Sequence, residues 1–221
     1  MNDYSKPDFY ANKAKLDGYV ARSVYKLEEI NAKFKLIKPG QTILDLGSAP
    51  GSWSQYVSSI IGDNGKIVGV DYKDMRVSMP SAIFLKGDFY SDEIRSQLAE
   101  YAPFNGIISD MAPDTEGDKI TDCFRSSELV WKSLNFAYDY LKRGGYFIAK
   151  IFQGGDEKEI MKEMKSAFKE AKWFKPASSR KISYEIFVVG ENFISNPNKN
   201  KALDDDNDLE KLNNSDGYMP W

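Results

Sequence analysis

The chain has no histidine and one cysteine, Cys123, among 221 residues. Without histidine there is no imidazole base, no Ser-His-Asp triad and no His-ligated metal, so no metal is expected. Proton transfer has to be run by Lys, Asp, Glu, Tyr or water. A lone cysteine cannot build an internal disulfide framework and fits a reducing, cytoplasmic setting. Apolar runs fall short of the ~18 residues that span a bilayer, and MNDYSKPDFY lacks the apolar core of a secretory leader, so no membrane partner is expected. Both common nucleotide loops are missing: there is neither G-x-x-x-x-G-K-[ST] nor G-x-G-x-x-G, which weighs against an NAD-linked dehydrogenase.

What is present is a globular composition, 42% apolar and 29% charged, long enough for one domain with extras. The net charge of −3 is unevenly spread. Residues 193–221 hold three Lys against six Asp/Glu, which leaves residues 1–192 neutral. Within that body, residues 1–40 carry a net +3, and KWFKPASSRK (172–181) has four cations and no acid. Local rather than total charge draws a phosphate backbone, so two basic patches on a neutral body are compatible with nucleic acid, although solvated lysine is the plainer reading of charge alone. The Asn/Asp-rich tail is expected to be disordered.

The body alternates β-rich runs with helical patterns. Strands are expected at 42–46, 66–71, 82–88, 106–110, 145–152 and 184–190, with helices near 53–61, 91–101, 124–142 and 156–170. This order predicts an α/β fold with a mostly parallel, doubly wound sheet and helices on both faces, YEIFVVG being the antiparallel addition. Ligands of such sheets bind beyond the carboxyl ends of the strands. DLGSAPGSW, Asp71, Asp88, Asp110 and Lys150 all fall at that edge.

In DLGSAPGSW, Gly47 and Gly51 permit positive φ or close backbone approach, and Pro50 stiffens the turn. The loop suits a ligand that needs close backbone but is not an anion. Asp71, 20 residues past Gly51, is placed to accept from ribose hydroxyls, and Asp88 from an adenine amino group with Phe89 as an apolar flank. An adenosine bearing a sulfonium suits a site ringed by Asp45, Asp71, Asp88 and Asp110, which points to S-adenosylmethionine. Each Asp alone would read as a cap or turn residue; the convergence favours the ligand.

Lys150 stands in the apolar strand GYFIAKIF, where period 2 puts Ile148, Lys150 and Phe152 on one face. A lysine reaching solvent past the strand end is the alternative. The helix over 19–34 aligns Val20, Val24, Leu27, Ile30 and Phe34, with Lys26 beside the stripe. Glu185 lies inside YEIFVVG. Two lysines and two acids, Lys26, Asp110, Lys150 and Glu185, thus stand in awkward apolar contexts and could satisfy one another.

These stretches, together with KGDF, SDMAP, GGYFIAKIFQG and KPASSRKISYEIFVV, resemble the FtsJ/RrmJ family of RNA ribose 2′-O-methyltransferases over roughly residues 9–190. The resemblance implies a Rossmann-like S-adenosylmethionine-dependent fold over 1–192, opened by a short basic helical segment, with 193–221 outside it. It implies a catalytic Lys26-Asp110-Lys150-Glu185 tetrad with Lys150 as the base. Donor-binding positions fall on Gly51, Trp53, Asp71, Asp88 and Asp110. Ser52 departs from the glycine usual in bacterial relatives. The implied reaction is methylation of a ribose, most simply a uridine's, in large-subunit rRNA by a monomeric protein. A tRNA anticodon loop or mRNA cap as substrate, or a donor-binding scaffold in ribosome assembly, are the alternatives. Arg22, Lys35, Lys38, Lys175, Arg180 and Lys181 are the candidates for RNA phosphate contact.

Overall fold

The computed structural model describes residues 9–180 and 182–197. The acidic part of the tail and Lys181 lie outside the described residues.

Six strands form where the β-rich runs predict them: β1 (Thr42–Leu46), β2 (Lys66–Asp71), β3 (Ala82–Lys86), β4 (Phe104–Ser109), β5 (Leu141–Phe152) and β7 (Glu185–Phe193). With β6 (Phe168–Phe174) they make one seven-stranded sheet in the order β3-β2-β1-β4-β5-β7-β6. The pairs from β3 through β5 are parallel, and β7 runs antiparallel to both its neighbours.

The helices are α1 (Phe9–Leu16), α2 (Val24–Phe34), α3 (Ser52–Ile61), α4 (Asp92–Ala99), α5 (Lys119–Tyr140) and α6 (Glu157–Ala167). Strand alternation divides their packing between two faces. Ile43, Ile67, Ile108 and Ile148 point to the side covered by Leu27 and Ile30 of α2 and Trp53, Val57 and Ile61 of α3. Leu44, Val68, Ile107 and Phe147 point to the side covered by α4, α5 and α6 through Leu98, Leu134, Ile160 and Met164. Each fully buried Leu, Ile or Phe contributes about 1.5–3 kcal/mol, so both layers are held firmly to the sheet. Two exposed-side turns start their helices locally: Ser91 accepts from Ile94 N and Asp118 from Thr121 N.

Two expectations are corrected. The helix expected over 156–170 ends at Ala167, and the chain passes directly into β6. Lys169, Glu170 and Lys172 stand exposed on this edge strand, so charge concealed its β pattern. The helix expected over 19–34 begins only at Val24, and Val20, 36% exposed, is not part of its buried stripe. At the other end, Phe193 is buried and the Ile194 N–H donates to the Ala167 carbonyl, so the sheet extends just past the expected domain boundary. No helix among the described residues is long and apolar enough to cross a membrane.

Candidate active site

The loop after β1 turns back at once. The Gly47 and Ser48 N–H groups both donate to the Val70 carbonyl, at 2.9 and 3.2 Å. Gly47 has φ +74, and a Cβ there would lie 2.5 Å from Met111 Cγ, so only glycine fits the turn. Gly51, at φ +115, caps α3 against Val77. Asp71 holds the loop from the neighbouring strand: its Oδ2 accepts from Ala49 N at 3.0 Å and its Oδ1 from Lys73 N at 2.8 Å. Each oxygen keeps a second lone pair.

Beyond these strand ends opens a cavity of about 600 Å³, a volume ordinary for nucleoside-sized ligands. Gly47, Asp71, Phe89 and Asp110, four of the donor-site candidates, line it. Tyr72, Met111, Pro113 and Leu129 line it too, and the sequence reading missed them. Met111 and Pro113 belong to SDMAP and were within reach of that motif; Leu129 is brought in from the middle of α5, which no local signal announces.

Pro50, Gly51, Trp53 and Asp88 do not reach the cavity wall. Trp53 is packed within the fold. Its indole is 3% exposed, packs 5.8 Å from the Phe187 ring, and donates to the Ser23 carbonyl at 2.9 Å. At the second position of α3 it packs onto the sheet face under α2. Asp88 accepts from Tyr90 N at 2.9 Å and sits between the lining residues Gly87 and Phe89. Asp45 is fully enclosed, its Oδ2 accepting from Ser54 Oγ at 2.7 Å, and burial pushes its carboxyl up to about 7. Of the four-aspartate ring, two members, Asp71 and Asp110, face the cavity.

The tetrad assembles from four elements. In β5, alternation turns Lys150 to the α2 side with Ile148; in β7, Glu185 shares that side with Phe187, since Phe152 pairs with Glu185 and Lys150 with Phe187. Asp110 follows β4 directly. Lys26 arrives on the first turn of α2, whose approach is pinned by α3: Val20 N donates to Gln55 Oε1, Gln55 Nε2 to the Gly18 carbonyl, and Ser23 Oγ meets Ser52 Oγ at 2.9 Å. Ser52, the departure noted in the loop, is thereby used to hold α2.

Lys150 Nζ lies 2.9 Å from Asp110 Oδ1 and donates to the Asp110 carbonyl at 2.6 Å. Lys26 Nζ lies 2.9 Å from Glu185 Oε2 and 3.7 Å from Asp110 Oδ1. Asp110 Oδ1 is buried and, although ion-paired, lies off the line of any hydrogen bond among the described residues. Burial pushes Asp110 upward, but the Lys150 and Lys26 charges outweigh it and its carboxyl is held below the ordinary value. Burial likewise lowers Lys26, yet the Asp110 and Glu185 carboxylates outweigh it and the net direction is up. Both groups are therefore held charged at neutral pH.

The basic candidates divide. The Arg22 guanidinium donates to the Ser178 carbonyl, Glu29 accepts from Ala177 N and Ser178 N, and Lys175 Nζ donates to the Ser183 carbonyl at 2.9 Å. The Glu29 and Arg22 bonds fasten residues 177–178 to α2 and to the segment just before it, on the tetrad side, and Arg22 feels both Arg180 and Glu185. Lys35 and Lys38 are elsewhere. They precede β1 and stand at its amino end, across the sheet from the tetrad, because a chain entering a parallel strand does so at the edge opposite the site.

The FtsJ-like methyltransferase family model matches residues 19–193. The chain is 44% identical over 190 residues to ribosomal RNA large subunit methyltransferase E of Bdellovibrio bacteriovorus, covering 85% of this chain and 97% of that protein. It is 43% identical over 194 residues to the protein of the same name in Treponema denticola, covering 87% and 98%. Among solved structures, a Plasmodium falciparum ribosomal RNA methyltransferase superposes with a TM-score of 0.70 at 30% identity, covering 80% of this chain and all of that one. Aeropyrum pernix fibrillarin, solved with S-adenosyl-L-methionine natively bound, shares the fold with a TM-score of 0.54 at 19% identity, each chain covered to 76%. With a family match across most of its length and a site assembled from the same stretches, the chain belongs to the FtsJ-like methyltransferases.

Proposed function

We propose that the protein methylates a ribose 2′-oxygen of large-subunit ribosomal RNA, with S-adenosylmethionine as donor. The observation that carries this reading is Asp110. It lines the donor-sized cavity and at the same time contacts Lys150 and Lys26, so the cavity and the cluster of charges are one site. The names of the large-subunit methyltransferase relatives support the substrate, and the fibrillarin structure supports the donor.

The donor, when bound, supplies a methyl group already activated by its sulfonium, so the protein's task is orientation and proton handling. Holding two reactants in line is worth about 7–11 kcal/mol of barrier. Gly47 gives the backbone close approach, Asp71 offers its spare lone pairs to ribose hydroxyls, and Phe89 and Leu129 present apolar surface for a base. Lys150 takes the 2′-hydroxyl proton; Asp110 fixes its Nζ through both carboxylate and carbonyl. Lys26, held charged by Asp110 and Glu185, steers the ribose and offsets developing negative charge on its oxygen. Arg22, Lys175 and Arg180 meet the phosphates that flank the target.

The test supplies labelled S-adenosylmethionine with unmethylated large subunits, protein-free rRNA and bulk tRNA, with Lys150→Ala in parallel. Label on one rRNA ribose, lost in the variant while donor binding persists, is the expected result. Label confined to tRNA would overturn the substrate.

A further inference from the structure

The edge of the sheet opposite the active site carries a second concavity, of about 260 Å³, which the reaction above does not use. Lys35, Lys38, Lys142 and Arg143 line it together with Asn105 and Asn192. All four cations are exposed, and none is ion-paired among the described residues. The one acid in the lining, Glu191, is pushed up by burial and then by Glu170, and only Lys172 pulls it down. It is one acid against four cations, so the concavity keeps a net positive charge. Asn105 Oδ1 accepts from Thr42 N at 2.9 Å, and its amide nitrogen remains a donor.

The turn that presents Lys142 and Arg143 is built rather than loose. Gly144 has φ +80, and a Cβ on Gly145 would lie 2.7 Å from the Lys142 carbonyl and 2.8 Å from that of Asn105. The pairing of β4 with β5 is interrupted at this place, between Phe104 and Gly106. The irregularity lifts two cations out of the strand line, although a strand needs no such feature to carry Lys150 to the other edge.

We propose that this basic concavity is a second seat for the RNA backbone, taking phosphates of a segment distinct from the one that enters the active site. The inference rests on the RNA substrate proposed above. A strand of the length of β1 separates the two edges by roughly 15 Å at ~3.3 Å per residue. The two seats therefore grip separate segments of a folded RNA, with the target ribose at one edge and a structural element at the other. On this view Lys35 and Lys38 contact RNA, but not beside the target.

The experiment measures equilibrium binding to unmethylated large subunits and to protein-free large-subunit rRNA across a salt series, for wild type, Lys142→Ala/Arg143→Ala and Lys35→Ala/Lys38→Ala. Each pair of lost cations is expected to reduce the slope of log K against log salt by ~2. It is also expected to raise the methylation KM roughly tenfold with kcat unchanged, since no contact to the reacting atoms is touched. Two pairs from separate stretches of the chain guard against one variant failing to fold. Unaltered slopes and KM in both pairs, with wild type still methylating, overturn the second seat and leave the reaction standing. A changed slope on subunits but not on protein-free rRNA assigns the concavity to a ribosomal protein and overturns the RNA assignment. Wild type that binds RNA but transfers no methyl group overturns the reaction instead, and the salt slopes still decide the seat.

Discussion

Asp45→Asn tests the electrostatics of the sheet directly. Asp45 sits 1% exposed on β1, and burial, only partly offset by the Ser54 hydroxyl, moves its carboxyl from the ordinary 3.8 to about 7. The nearby Asp110 and Asp71 charges add to the upward shift. A carboxyl raised in this way binds its proton more tightly folded than unfolded. Its stability contribution is complete below the unfolded value and is lost as pH climbs towards the folded one, at about 1.4 kcal/mol per pH unit. The full loss between 3.8 and about 7 is on the order of 4 kcal/mol, a large share of a typical 5–15 kcal/mol. The chain has no histidine to titrate in this window, and burial moves Cys123 up and away from it. Asparagine keeps an oxygen to accept the Ser54 hydroxyl and removes the ionisation. Urea unfolding from about pH 5 to pH 8 should therefore show wild type losing stability as pH rises and Asp45→Asn nearly level, the variant being the more stable at pH 8. Parallel profiles for the two proteins would refute the reasoning.

Three other outcomes follow from the geometry. Gly47→Ala places a Cβ against Met111 at φ +74, so it should cost about 1–2 kcal/mol in urea unfolding and weaken donor binding by calorimetry. Glu29→Ala removes the acceptor for Ala177 N and Ser178 N; it should raise KM for RNA while leaving donor affinity unchanged, as residues 177–178 lose their fastening to α2. Glu185→Gln leaves Lys26 less well compensated and should destabilise the fold by about 1–3 kcal/mol with a loss of kcat; adding Lys26→Met should recover stability but not turnover, read by a double-mutant cycle.

Much of the fold could be read from the chain because its interior strands are apolar, short and bounded by turns. The runs TILDL and KIVGVD became β1 and β2 residue for residue. The edge strand β6 could not be read in the same way, since an edge tolerates Lys169, Glu170 and Lys172 facing water. The tetrad was anticipated because a charge in an apolar strand demands a partner. Which acid partners which lysine was decided by register: β7 entering antiparallel sets Glu185 across from Phe152, within reach of Lys26 rather than Lys150.

The sequence by itself determined the alternation of strands and helices, the glycine-dependent turn after β1 and the edge at which charged residues collect, because each depends on neighbours in the chain. Only the tertiary structure decided that Trp53 packs beneath α2, that Leu129 reaches the cavity from α5, and that Lys35 and Lys38 stand on the far edge. The direction of a side chain on a helix, and the edge on which a loop emerges, are fixed by packing between elements distant in sequence. Local pattern carries no record of that packing.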